Sequence, residues 1–272
     1  CGQMAERLGA KLLGLGAFTS VVGDAGITVA RELDIPVTTG DAYTVAIAIQ
    51  AIHKAAEVME IPLSSATAAV VGATGSIGHL CAELLAEDTA ELILIGRSQE
   101  KLDVLQQNIL DQGAKARLLT STSMDALQKA QLIVTVTSAV HTVVNPEHLL
   151  PGSVICDVAR PRDVSAQVAA ARQDILVIDG GMVEVPGNAN FNFDFGFPPG
   201  KAYACMAETM ALTLEGRFED YTLGRNIPLQ HVKEISQIAS KHGFRLSGFR
   251  SFEREVTPQQ IEKVRQMAQK RF

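Results

Sequence analysis

The sequence predicts an α/β protein: a doubly wound parallel sheet, accompanied by a second, smaller α/β lobe built from both chain ends. Three observations predict it. Apolar, β-rich runs recur through the middle of the chain at 67–72, 91–96, 116–119, 131–138, 153–158 and 175–179. Helical patterns separate them near 76–87, 99–112, 123–130 and 164–172. A glycine-rich turn joins the first run to the first of these helices. Strands buried on both faces read as unbroken apolar runs, and their alternation with helices requires parallel pairing through right-handed crossovers.

The elements follow in order. A short strand at 11–16, a helix at 24–33, a strand at 36–38 and a long apolar helix at 42–60 make 1–62 one part of the second lobe. Residues 63–190 carry the six runs of the Rossmann-like sheet. The remainder, 191–272, is mainly helical, at 199–216, 228–242 and 257–271, and completes the second lobe, with a substrate cleft expected between the lobes.

Composition narrows the function classes. Of 272 residues, 47% are hydrophobic and 20% charged, which excludes a disordered chain. Lys and Arg number 24 against 30 Asp and Glu, a net charge of −6, so nucleic acid is not an expected partner. No apolar run approaches the roughly 18 residues of a membrane helix, and no signal segment opens the chain. Four cysteines form no CxxC pair and no metal-ligand spacing with the six histidines, so a cytoplasmic, reduced protein without a metal is expected. A start at Cys1 rather than Met predicts a processed or truncated form of something longer.

The glycine turn reads Gly72-Ala73-Thr74-Gly75-Ser76-Ile77-Gly78. It follows a strand and opens a helix, the context in which such a turn holds a dinucleotide. Gly72 makes the tight turn, Gly75 lets the backbone approach a pyrophosphate, and Gly78 allows close helix packing, with the phosphate charge at the helix N-terminus. The end of the next strand selects the cofactor. NAD binders place Asp or Glu there, about 20 residues on, whereas an Arg accommodates a 2′-phosphate. This chain has Gly96-Arg97-Ser98, with Lys101 one turn later, and no acid at the strand end. Arg97 offers a planar fork and Ser98 a further hydrogen bond, so NADPH is the expected cofactor. Thr137 and Ser138 end the fourth run, where the nicotinamide is expected.

Cys205 is the candidate nucleophile. On a helix beginning at the Pro198-Pro199 pair, Tyr203, Met206, Ala207, Met210, Ala211 and Leu214 form the expected core stripe. Cys205 falls about 200° from Tyr203, with Glu208, Thr209, Leu212 and Gly216. A thiol off the stripe suits a cleft, although a buried inert cysteine is the commoner fate, and position 205 is expected in the second turn, where the dipole's help to a thiolate fades. Cys81 and Cys156 read as structural. Asp157 with Arg160, Asp179-Gly180-Gly181 and Thr39-Gly40-Asp41 lie at strand ends or helix starts, where caps and cleft roles compete. No histidine has a carboxylate or serine partner that sequence suggests. Phe191, Phe193, Phe195 and Phe197 alternate before the Pro pair, as a strand or an apolar lid would.

Gly16-Ala17-Phe18-Thr19-Ser20, Thr38-Thr39-Gly40, the glycine turn, Ala204-Cys205-Met206-Ala207-Glu208, Leu214-Glu215-Gly216, Gly224-Arg225-Asn226 and His242-Gly243-Phe244 occur in this order. Together they resemble the cyanobacterial-type long-chain acyl-[acyl carrier protein] reductases, over nearly the whole chain. The nucleotide domain also looks like that of shikimate-type dehydrogenases. The resemblance implies NADPH-dependent reduction of a fatty acyl thioester, on acyl carrier protein or coenzyme A, to a fatty aldehyde. It puts Cys205 at the position of the family's acyl-accepting cysteine, and implies an aldehyde-consuming enzyme as a partner. Family members carry an additional N-terminal segment that this chain lacks, and 159–162 and 191–199 depart from the family pattern. Two other readings stay open on the residues themselves: an NADP-dependent dehydrogenase of a small polar substrate, and a non-catalytic NADP-binding module.

Overall fold

The computed structural model describes residues 1–16, 18–21, 23–139, 141–187, 189–193, 198–252 and 254–269, with backbone alone at 18 and 21. In chain order the helices are α1 (Gly2–Arg7), α2 (Phe18–Val21), α3 (Ile27–Arg31), α4 (Asp41–Val58), α5 (Ser76–Asp88), α6 (Gln99–Asp111), α7 (Ala166–Ala171), α8 (Ala204–Glu215), α9 (Leu229–Lys241) and α10 (Pro258–Gln269). The strands are β1 (Leu13–Gly14), β2 (Val37–Thr38), β3 (Thr67–Val71), β4 (Glu91–Ile95), β5 (Arg117–Ser121), β6 (Leu132–Thr135), β7 (Val154–Asp157), β8 (Leu176–Asp179), β9 (Met182–Glu184), β10 (Lys201–Tyr203), β11 (Arg245–Leu246), β12 (Arg250–Ser251) and β13 (Arg254–Glu255). Two compact units emerge: Cys1–Ile47 with Gly181–Ser247, and Ala48–Gly180 with Gly248–Phe272.

The second unit is organised by a six-stranded sheet of order β5-β4-β3-β6-β7-β8, parallel throughout. Every residue of β6, β7 and β8 is buried, as the unbroken apolar runs require, whereas the edge strand β5 is only partly covered. Ile93, Ile95, Ile133, Ile155 and Val177 share one core cluster with Val164 and Val168 from the segment leading into and through α7. Strand order reverses between β3 and β6, and at such a switch point a doubly wound sheet takes its ligand, beyond the carboxyl ends of the strands. Register sets Val71 beside Ile95 and Thr135, so the turn after β3 and the segments after β4 and β6 emerge at the same end.

Two expectations shift here. The helix expected at 123–130 is a 3-10 helix, Met124–Lys129, with Ser123 as its N-cap, the hydroxyl accepting from the Asp125 N–H at 3.2 Å. Strand β6 stops at Thr135 rather than 138, since the Thr137 N–H donates to the Asp163 carboxylate at 2.8 Å instead of to a neighbouring strand.

In the first unit β1 and β2 pair in parallel, Leu13 beside Val37, and β10-β9-β11 form a separate antiparallel sheet. This second sheet overturns the expected start of a helix at 199. Lys201–Tyr203 is extended and pairs with β9, Tyr203 beside Met182, so α8 begins only at Ala204. Its core face is also turned from the expected stripe. The buried residues are Ala204, Ala207, Glu208, Ala211 and Leu212, while Leu214 is 56% exposed. A pairing partner distant in sequence displaces the helix start, and nothing in the local pattern announces it. Of the phenylalanine series, Phe191 and Phe193 lie in irregular backbone, Phe193 exposed; Phe195 and Phe197 lie outside the described residues. The histidines do find carboxylates after all: His242 with Glu215 at 2.7 Å and His53 with Asp88 at 3.4 Å.

Candidate functional site

The glycine turn is built as its spacing anticipates. Gly72 turns the chain at φ +85°, in the left-handed region, and a Cβ there would sit 2.8 Å from the Val136 carbonyl oxygen. A Cβ on Gly78 would lie 2.1 Å from the Gly72 carbonyl oxygen, so both positions are confined to glycine by close backbone approach. The Gly72 and Ala73 N–H groups both donate to Ile95 O, fixing the turn beside the end of β4. Gly75 is the N-cap of α5 with no side-chain cap hydrogen bond, so the start of that helix, at Ile77 and Gly78, presents N–H groups suited to an anion. Thr74 is exposed, and its methyl would be 3.6 Å from a Cβ at Gly96.

Arg97 is exposed immediately beyond Gly96. Ser98 caps α6, its hydroxyl accepting from the Lys101 N–H at 3.4 Å, which leaves the hydroxyl proton to donate. Lys101 is exposed one turn on. The site thus presents a glycine cradle, a helix N-terminus, a guanidinium and an ammonium, a donor set that fits a 2′-phosphorylated dinucleotide.

Beyond β6, Ser138 is exposed, whereas Thr137 is turned inward. The Thr137 hydroxyl donates to Asp163 Oδ1 at 2.5 Å and accepts from the Ala139 N–H at 3.1 Å, so it is engaged with protein on both counts. Asp157 is buried: its carboxylate accepts from the Thr135 hydroxyl at 3.1 Å, Ala159 N–H at 3.2 Å and Val164 N–H at 3.0 Å. Burial pushes its pKa up to about 6, with the Asp163 carboxylate adding to the rise. Arg162 grips Asp179 through Nε at 3.1 Å and Nη2 at 2.9 Å. Asp157 and Asp179 are therefore structural members of the strand ends.

Cys205 lies in the first unit, and its surroundings differ from expectation in its favour. It is the second residue of α8, inside the first turn, not the second. Tyr203, the N-cap, provides no side-chain cap, and the Cys205 and Met206 N–H groups favour charge on the sulfur. Gly40, immediately before α4, presses on it: a Cβ at position 40 would lie 2.3 Å from Cys205 Cα. Burial nonetheless pushes the thiol up to about 11, with Asp41 and Glu208 adding like charge, so the resting sulfur is protonated. Cys81 and Cys156 are fully buried, and burial drives both thiols strongly upward, as inert cysteines require; Cys1 is exposed.

Glu208 is the residue whose importance sequence reasoning missed. It is fully buried, one turn beyond Cys205. Its carboxylate accepts from the Thr38 hydroxyl, from the Thr222 hydroxyl at 2.8 Å and from the Tyr43 N–H at 2.8 Å, the last a free donor in the first turn of α4. Thr222 N–H donates in turn to the Thr38 hydroxyl at 3.2 Å. Burial pushes the Glu208 carboxyl upward against the pull of these donors.

Sheet, glycine cradle and basic strand end define an NADP-binding domain of the doubly wound kind. Residues 53–179 match the shikimate/quinate 5-dehydrogenase family. The chain is 36% identical over 259 residues to the aminotransferase PigE of a Serratia species, covering 93% of this chain and 30% of that protein. It is 31% identical over 255 residues to the long-chain acyl-[acyl-carrier-protein] reductase of Synechococcus elongatus, covering 88% of this chain and 72% of that protein. Glutamyl-tRNA reductase from Methanopyrus kandleri superposes with a TM-score of 0.40 at 17% identity, over 82% of this chain and 43% of that one. The chain belongs to the sequence family that includes the Synechococcus reductase. Its nucleotide domain takes NADPH as cofactor. It spans about a third of PigE. Among the described residues no helix is long and apolar enough to cross a membrane.

Proposed function

We propose that the protein reduces a long-chain fatty acyl thioester, carried on acyl carrier protein or coenzyme A, to the fatty aldehyde through an acyl-enzyme on Cys205. The observation that supports this most is the placement of Cys205: in the uncapped first turn of α8, against the glycine that opens α4. A structural cysteine has no need of that position. The 31% identity to an acyl-[acyl-carrier-protein] reductase supports the substrate class.

The chemistry follows from the sulfur and its surroundings. The Cys205 proton leaves as Sγ bonds to the acyl carbon; the carbon–sulfur bond to the carrier breaks, and the carrier thiolate takes up a proton. The Cys205 and Met206 N–H groups would stabilise the negative charge that develops on the sulfur. NADPH held by the Gly72–Gly78 turn, Arg97 and Ser98 would supply hydride to the acyl carbon. Collapse of the resulting oxyanion breaks the bond to Sγ, releases aldehyde and leaves Cys205 to regain its proton. A free aldehyde is reactive and requires an enzyme that consumes it.

Intact-mass analysis after mixing with a long-chain acyl-CoA, with and without NADPH, tests the reading. The wild type should gain one acyl group that NADPH discharges as aldehyde, and Cys205→Ser should gain none. A folded, NADPH-binding protein that acquires no acyl group from acyl-CoA or from acyl carrier protein overturns it.

A further inference from the structure

The segment after β6 is tied down by a residue that no motif contains. Asp163 holds its start: the carboxylate accepts from the Thr137 N–H at 2.8 Å and from the Thr137 hydroxyl at 2.5 Å. Asp163 also holds its end: the backbone carbonyl accepts from the N–H groups of Val143 at 3.0 Å and Val144 at 3.3 Å. Asp163 is itself fully buried, and its N–H donates to Asp157 Oδ1 at 3.4 Å. On the opposite side the segment meets the glycine turn, since a Cβ at Gly72 would lie 2.8 Å from Val136 O and 3.2 Å from Thr137 N. Thr137 is therefore clamped between the glycine turn and Asp163, at the point where strand order reverses.

We propose that Asp163 is a positioning residue for the nicotinamide half of the cofactor: it presents the exposed Ser138 and the backbone beside it to the ring, acting through Thr137 and without touching the cofactor itself. The two bonds fix both the backbone and the side chain of Thr137, and so the direction in which the chain continues to Ser138. Asp163→Asn keeps one acceptor oxygen and turns a donor toward the other Thr137 group, so Thr137 loses one of its two anchors, and Thr137→Val loses the hydroxyl one.

This assigns distinct anchors to the two halves of the dinucleotide. The adenosine half would rest on Gly72–Gly78, Arg97 and Ser98, none of which bonds to Asp163. The test is a comparison of Kd values for NADPH, NADP+ and 2′,5′-ADP, measured calorimetrically on the wild type, Asp163→Asn and Thr137→Val. The 2′,5′-ADP probe carries the 2′-phosphate and lacks the nicotinamide. Asp163→Asn should weaken NADPH and NADP+ at least tenfold while 2′,5′-ADP stays within twofold. Thr137→Val, which removes the hydroxyl and keeps the shape, should move the same two ligands in the same direction, and carries the test if the Asp163 variant does not fold. Equal loss of all three ligands in a folded variant assigns Asp163 a merely structural role and overturns the proposal, as does unchanged NADPH binding in either variant. The readout is binding alone, so it stands or falls separately from acyl transfer.

Discussion

Gly40 lies against Cys205 with no room for a side chain between them: a Cβ on Gly40 would stand 2.3 Å from Cys205 Cα and 2.5 Å from its Cβ. Gly40 also has φ +79°, which L side chains rarely adopt. Strain and overpacking act together here, so Gly40→Ala should destabilise the protein by about 2–4 kcal/mol in urea denaturation. Cys205 acylation should fall at least tenfold in whatever fraction remains folded. A variant as stable and as readily acylated as the wild type would sink this account of the contact.

The protonation of Cys205 can be followed by alkylation with iodoacetamide. With the thiol pushed up to about 11, the rate should climb through pH 9 without levelling there. Glu208→Gln removes one of the like charges that raise it, so the climb should begin at lower pH in that variant. Mass spectrometry of the Cys205 peptide across pH 6–11 reads both, and an unmoved profile would count against the electrostatic link.

Glu208 should matter for stability more than any charged residue on the surface. Glu208→Ala strands the Thr38 and Thr222 hydroxyls and the Tyr43 N–H in a dry interior, and a loss of about 3 kcal/mol or more is expected. Glu208→Gln can still accept through its amide oxygen and should lose less. Equilibrium denaturation of the pair gives the comparison, and equal losses would show that the acceptor role is immaterial.

Asp157 predicts a pH dependence of folding. Its native pKa, about 6, is above the ordinary 3.8, so the fold favours the neutral acid. The resulting stabilisation is complete below about pH 4 and is lost as pH rises through about 6. A difference of about two units corresponds to roughly 3 kcal/mol. The urea midpoint of the wild type should therefore fall from pH 4 to pH 6.5 relative to Asp157→Asn, with parallel curves above that. A wild-type advantage that grows over the same interval would reverse the sign and refute it.

Arg97→Ala should raise the Kd for NADPH by about 10–100-fold and leave NADH nearly unchanged, the worth of one charge-assisted phosphate contact. Fluorescence titration with the two nucleotides distinguishes this from a general loss of the site, in which both would weaken alike.

Local order was legible where one segment's pattern decides its structure. The runs now seen as β3, β4, β7 and β8 are apolar because they are buried along nearly their whole length, and Gly72 and Gly78 mark a turn with no room for a side chain at either. Legibility failed where the partner is far away in sequence. Lys201–Tyr203 is extended because β9 pairs with it, and a prolyl pair upstream misled about where α8 begins. Glu208 falls off the stripe that contains Tyr203, Met206 and Met210, so its burial is not legible in the wheel; its three donors come from positions 38, 43 and 222. Asp163 is a plain acid after Arg-Pro-Arg until Thr137, 26 residues earlier, is brought to it.

The Thr38–Glu208 hydrogen bond joins residues 170 positions apart. During translation Thr38 and Tyr43 emerge long before their acceptor exists. At about 5–20 residues per second the interval is roughly 10–30 s on the ribosome. Through that time Tyr43, Val45 and Ile47, all buried in the finished protein, have no 181–247 segment to complete their unit. A nascent chain halted before Glu208 presents an apolar helix start with no carboxylate to receive it, which makes this stretch the natural place for a chaperone to hold, and for a protease to cut, a polypeptide whose synthesis has stalled.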